Sequence, residues 1–158
     1  VILVDSNGER TMFPDNGANA DLETSDLPSL DDIDGVFVSG YALLDFRSRE
    51  NVLKMINKIR QTNTPIFLDP TTTGAMKAVP KSEVLEWAGM MDGILLNNEE
   101  ARYLGDSDDL ERAEENLLKH TPLVVIKLGS RGATAVFKDQ FAKVPALKQK
   151  LIDVLGAQ

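Results

Sequence analysis

Asn97 and Glu100 stand three apart in NNEE, directly after the apolar run GILL. An N-x-x-E pattern that opens a helix sets an amide and a carboxylate one turn apart on the same side. Oxygen donors so arranged suit Mg²⁺, often through its waters, beside a phosphate. The same spacing also suits an Asn cap followed by acidic residues in the first helical turn, where the helix dipole favours them. Spacing alone leaves both readings open.

A second candidate is Lys127-Leu128-Gly129-Ser130-Arg131-Gly132, which overlaps the most strand-like segment of the chain, PLVVIKLG. Glycines three apart let a turn press backbone N–H groups against a phosphate or ribose, and Lys127 adds positive charge. The alternative is a glycine turn that joins two strands. The pattern is neither the dinucleotide G-x-G-x-x-G nor a Walker P-loop. The third candidate is Asp153-Val154-Leu155-Gly156-Ala157-Gln158. Small residues there let N–H groups converge on one concavity and stabilise a transferring phosphoryl group, or else the segment is a frayed tail.

These residues need elements to position them. VILVD (1–5) and RTMF (10–13) read as strands joined by a turn at Asn7-Gly8, a strong hairpin signal. Residues 14–33 are polar and turn-rich, with at most a short helix. GVFVSG (35–40), TPIFLDP (64–70), GILL (93–96) and PLVVIKLG (122–129) read as strands. Val52, Met55, Ile56 and Ile59 recur at helical spacing, with Ser48 placed as an N-cap. SEVLEWAG (82–89), residues 98–104 and residues 108–120 read as further helices, the last with Leu110, Ala113 and Leu117 on one face. GATAVFKDQFAKVP (132–145) divides into two strands about Lys138-Asp139.

Strands that are continuous apolar runs and alternate with helices imply an α/β fold, a mostly parallel sheet covered on both faces, with β-hairpin additions at its two ends. Ligands of such sheets gather beyond the carboxyl ends of the strands, here Gly40, Asp69, Asn97 and Lys127 to Gly129. No repeat, low-complexity tract or linker divides the chain, so a single domain over 1–158 is expected. His120 reads as a helix C-terminal residue before Pro122, Trp87 as packing, and the run from Asp106 to Asp109 as a solvated helix start.

The net charge of −8 argues against nucleic acid or an anionic membrane as the main partner. The apolar runs are about strand length, so no membrane span is expected. Zero Cys removes disulfides and thiolate metal sites and fits a cytoplasmic location. A single His leaves no room for a His-based zinc site. The chain opens at Val1 inside an apolar stretch with no basic segment ahead of it, so neither a signal peptide nor an intact beginning is expected.

The order of the motifs is more specific than any one of them. VILVDSNGERTMF, GAN, DGVFVSGYALL, FLDPTTTG, ILLNNEEARYLG, VVIKLGSRGA, AKVPA and LIDVLGA together resemble the ribokinase-like (PfkB-type) carbohydrate kinases. The likeness covers essentially the whole chain but only about the middle half of a family member. It implies a three-layer α-β-α domain, here incomplete, with residues 1–25 near the sugar and lid side and residues 34–158 forming the sheet core and nucleotide side.

By the resemblance, Asn97 and Glu100 match the N-x-x-E associated with Mg²⁺ and phosphate. Gly129 and Gly132 match T-x-G-x-x-G near ATP, with Lys127 in place of Thr. Asp153 matches an acidic residue that helps hold a monovalent cation, although Leu155 replaces the usual Thr. Gly156 and Ala157 match the first half of the G-A-G-D anion hole, Gln158 stands at its second Gly, and the catalytic Asp would come next.

The implied activity is ATP-dependent phosphorylation of a sugar hydroxyl. Alternatives are a nucleoside or vitamin kinase of the same fold, or a remnant that binds nucleotide or a partner without catalysis. The implied partners are a sugar and ATP, with a homodimer as one assembly. Without the base, turnover is expected to fall by about 10²–10⁴-fold. Uncovered sheet surface is expected to favour association.

Overall fold

The computed structural model of the chain describes residues 1–6, 10–13 and 17–147. Four of the apolar runs form parallel strands: β3 (Val36–Ser39), β4 (Ile66–Asp69), β5 (Gly93–Asn97) and β6 (Leu123–Lys127). They follow β1 (Ile2–Val4) and β2 (Arg10–Met12), which pair antiparallel with each other. After β6 the chain doubles back through β7 (Ala133–Phe137) and β8 (Gln140–Val144), which extend the sheet antiparallel. The six-stranded sheet has the order β3-β4-β5-β6-β7-β8.

Six helices connect the parallel strands: α1 (Gly40–Leu44) and α2 (Arg49–Ile59), α3 (Thr73–Met76) and α4 (Lys81–Gly89), α5 (Asn98–Leu104) and α6 (Leu110–Leu117). Because the parallel strands lie in chain order, right-handed crossovers carry all of these helices to the same face. That face is the core. Val38, Ile66, Leu68, Ile94, Leu96, Val124 and Ile126 point into it and are buried beneath helical residues such as Leu43, Ile56, Trp87, Ala101 and Leu117.

Two expectations change here. The apolar runs imply burial on both faces, yet only alternate residues are buried. Phe37 is 59% exposed, and Phe67, Leu95 and Val125 are half-buried on the other face, over which no described helix passes. The described residues therefore build two of the three expected layers. The first hairpin also does not extend the main sheet; β1 and β2 stand as a separate two-stranded sheet with Ile2, Leu3 and Val4 more than half exposed. The expected Asn7-Gly8 turn lies outside the described residues.

Ser48 is not the side-chain cap expected of it. It lies in the helical region, and its buried hydroxyl donates to the Ala42 carbonyl at 2.8 Å, tying the end of α1 to the start of α2. Arg49 completes that corner. Its guanidinium donates to the carbonyls of Leu43 (2.6 Å) and Leu44 (3.2 Å), which have no partner within so short a helix. It also pairs with Glu83 at 3.0 Å and lies 5.3 Å from the centre of the Trp87 ring. One exposed-looking arginine in the sequence thus joins α1, α2 and α4.

Gly40 sets how closely β3 and β4 approach at their carboxyl ends. A Cβ at this position would meet the Pro70 backbone at 2.6 Å. Gly74, inside α3, has nothing within 4 Å of its Cβ position and no positive φ. Gly40→Ala is expected to destabilise the protein by about 1–3 kcal/mol through overpacking. Gly74→Ala is expected to stabilise it by about 0.4–1 kcal/mol. Urea unfolding of both variants checks the contrast, and equal effects would contradict it.

Candidate functional site

Each parallel strand ends in a buried aliphatic residue followed by a polar one: Val38-Ser39, Leu68-Asp69, Leu96-Asn97 and Ile126-Lys127. Since side chains alternate along a strand, all four polar residues project from the face opposite the core. Ser39 pairs in register with Asp69, and Asn97 with Lys127. The result is a row of polar groups along the carboxyl edge of the sheet, where open α/β sheets bind ligands.

Lys127 Nζ reaches across the end of β5 to Asp69 Oδ2, at 3.0 Å. The two side chains keep 36% and 26% of their exposure. The other oxygen of Asp69, Oδ1, accepts the Thr71 N–H at 2.9 Å. Thr71 has a φ of +71°, which its branched side chain disfavours. The carboxylate therefore anchors a strained turn with one oxygen and holds a lysine with the other.

Asn97 and Glu100 form a complete reciprocal cap on α5. Asn97 Oδ1 accepts the N–H groups of Glu99 and Glu100, both at 2.9 Å. Glu100 Oε2 accepts the Asn97 N–H at 2.7 Å, and Oε1 accepts from Asn97 Nδ2 at 2.6 Å. The capping reading is thus realised in the geometry. Both carboxylate oxygens are already engaged, which argues against a bare metal ion bound directly by this pair. A hydrated cation fits better, since each oxygen keeps a lone pair for a metal-bound water.

Glu100 is 5% exposed. Burial pushes its carboxyl above the usual range; the Asn97 N–H opposes that, Asp69 and Glu99 add to it, and Lys127 opposes it. Asp69 and Lys127 thus both act on Glu100, and the Lys127–Asp69 ion pair joins the three side chains into one cluster. Its donors are hard oxygens, suited to Mg²⁺ rather than to thiophilic metals. Among the described residues, no group of three His, Cys, Asp or Glu forms a ready metal cage.

Gly129 to Arg131 form one short 3₁₀ turn between β6 and β7. Leu128 donates to the Gly132 carbonyl at 2.7 Å and Gly132 to that of Gly129 at 2.9 Å. Both glycines have positive φ, +58° and +91°. A Cβ on Gly132 would run into the Val144 carbonyl and lie 2.8 Å from the Ala146 nitrogen, whereas around Gly129 the space is open. The turn that joins two strands is therefore real, and the space around its first glycine is open. Asp153, Gly156, Ala157 and Gln158 lie outside the described residues.

Asp69 had no role assigned from sequence beyond standing at a strand end. Its signal was there: a carboxylate closing an apolar run, immediately before Pro70. What sequence did not show is that Lys127 would reach it across an intervening strand. Two hollows of about 380 Å³ lie at the opposite, amino end of the sheet beside Thr64 and Pro65, and none of the four polar strand ends lines them.

Comparison with known proteins decides the family. The model of the pfkB family of carbohydrate kinases matches residues 1–157. The chain belongs to that family. A fructokinase of Rhizobium leguminosarum bv. trifolii is 25% identical over 162 residues, covering 99% of this chain and 49% of its own. The Vibrio cholerae O395 fructokinase, solved with fructose, ADP and calcium ion, superposes with a TM-score of 0.82 at 23% identity, over 99% of this chain and 53% of its own. Adenosine kinase of Sinorhizobium meliloti gives a TM-score of 0.83 at 24% identity, over 99% and 49%. This pfkB-family chain thus spans about half the length of these relatives, in the same α/β fold.

Because burial holds Glu100 above its unfolded value, the native state binds that proton more tightly than the unfolded chain does. The resulting stability is complete below the unfolded value and is lost as pH rises through the folded one. Glu100→Gln removes this dependence. Urea unfolding from about pH 4 to 7 should show wild type gaining on the variant as pH falls; parallel curves would contradict the assignment.

Proposed function

We propose that the whole protein is an ATP-dependent kinase that transfers the γ-phosphate to a carbohydrate hydroxyl, and that this chain forms its nucleotide side. The observation that carries the reading is the position of Lys127 beside the open Gly129 turn, at the carboxyl edge of a pfkB-family sheet. A phosphate there meets an ammonium with three donors and a turn whose glycine gives close access to the backbone.

In this reading Lys127, Gly129 and Gly132 bind the nucleotide. Asn97 and Glu100 hold Mg²⁺ through its waters; the ion, when bound, supplies charge neutralisation of the phosphates. Gly156 and Ala157 keep their proposed part in the anion hole and Asp153 its proposed part at a monovalent cation. Phosphoryl transfer depends chiefly on positioning and charge stabilisation, so rigid strand ends are a suitable platform. No residue of this chain is assigned as the base that accepts the sugar proton. The lack of cysteine suits a reducing cytoplasm.

The comparable likeness to a fructokinase and an adenosine kinase supports a second acceptor class, a nucleoside. Titration of a fluorescent ADP analogue into the 158-residue chain is expected to show saturable binding that ATP displaces. Transfer of labelled γ-phosphate from ATP is assayed in parallel with fructose and with adenosine as acceptor. Absence of saturable nucleotide binding would overturn the kinase reading. Transfer to adenosine above fructose would select the nucleoside kinase.

A further inference from the structure

Asp69 and Lys127 neutralise each other at the place where an anionic ligand would need the lysine. The pair is made at 3.0 Å by side chains that are about one-third and one-quarter exposed. A pair so solvated is held weakly. A phosphate brings at least as much negative charge as the carboxylate and can also accept backbone N–H groups of the glycine turn, so it competes for the same ammonium.

The two partners are not equally free to move. Asp69 is fixed through Oδ1 by the Thr71 N–H at 2.9 Å, in a turn whose left-handed residue needs that restraint. Lys127 hangs on a flexible four-carbon stem, with open space beside Gly129. Movement therefore falls to the lysine.

We infer that Asp69 is a positioning residue that stores Lys127 in the free protein and competes with phosphate for it, so that ligand entry exchanges one anion for another on the same ammonium. This rests on the nucleotide reading of the site given above. The exchange sets phosphate affinity: the stored lysine is kept in place over the end of β5, and each ligand must displace the carboxylate to use it.

The test is a double-mutant cycle on the 158-residue chain, with fluorescent ADP and with inorganic pyrophosphate, in EDTA at low salt. Asp69→Asn keeps an oxygen for the Thr71 N–H while removing the charge. Lys127→Met keeps most of the stem's bulk and removes the ammonium. Asp69→Asn is expected to tighten both ligands about 2- to 5-fold, and Lys127→Met to weaken them roughly tenfold or more. In the Lys127→Met background the gain from Asp69→Asn should disappear.

A gain that persists in that background would show simple repulsion by Asp69 and would overturn the exchange. So would weakening by both single substitutions, the mark of a structural strut. Pyrophosphate following the expected pattern while ADP fails to bind would keep the exchange and overturn the nucleotide reading. ADP binding that neither substitution alters would keep the nucleotide reading and overturn the exchange. Failure of both ligands to bind the wild-type chain would overturn both.

Discussion

The site depends on a matter of parity. In β3, β4, β5 and β6 the last buried aliphatic residue is followed by one polar residue: Val38 by Ser39, Leu68 by Asp69, Leu96 by Asn97 and Ile126 by Lys127. A strand turns successive side chains to opposite faces, so burying the first directs the second away from the core. A slip of one residue in any strand would expose an aliphatic and bury a polar group, charged in β4 and β6. The hydrophobic effect that sets the register therefore also aims the chemistry, and no separate device is needed to do so.

Stability and chemistry then draw on the same atoms. Glu100 is nearly buried, and its two oxygens are satisfied by the residue that opens its own helix. The cap lowers the penalty of a buried carboxylate without removing it, because neighbouring Asp69 and Glu99 add negative potential. Thr71 is a similar case. A β-branched residue at φ +71° is held there by Asp69, at a typical cost of about 1–3 kcal/mol for such a conformation. Both strains fall within a few residues of the strand ends.

How much of this could be read in advance follows from the range of the interactions involved. The four parallel strands and the two that double back are local patterns, and each lies within one or two residues of its expected place. Helix α5 was legible because Asn97 and Glu100 carry cap and helix in four residues. The helices α1 and α3 were not, since GYALL and TGAM are too short to show a period and owe their form to Gly40 packing on Pro70 and to the Thr72 cap. Ser48 has the residue type of a cap but spends its hydroxyl on Ala42, a choice made by the corner between two helices. A continuous apolar run reports that a strand is apolar on both sides, not what lies against each, so which face of the sheet would stay open in an incomplete domain was not legible. The Asp69–Lys127 pair was out of reach for the same reason: its partners are 58 residues apart and meet across a third strand.

The composition of the strand-end row also explains why family is easier to read here than acceptor. Lys127, Asp69, Asn97 and Glu100 offer one ammonium, two carboxylates and an amide, a set suited to phosphate and a hydrated divalent ion. Distinguishing a hexose from a nucleoside requires paired donors and acceptors for ring hydroxyls, or an aromatic face for a base, held in a pocket that excludes water. The apolar side chains of Phe67, Leu95 and Val125, on the same face of the sheet as the strand-end row, are half-buried. A fructokinase and an adenosine kinase can thus resemble this chain comparably in fold, because that likeness is carried by the sheet and the helices packed on it, whereas discrimination between acceptors depends on paired polar groups and enclosure that a fold does not dictate.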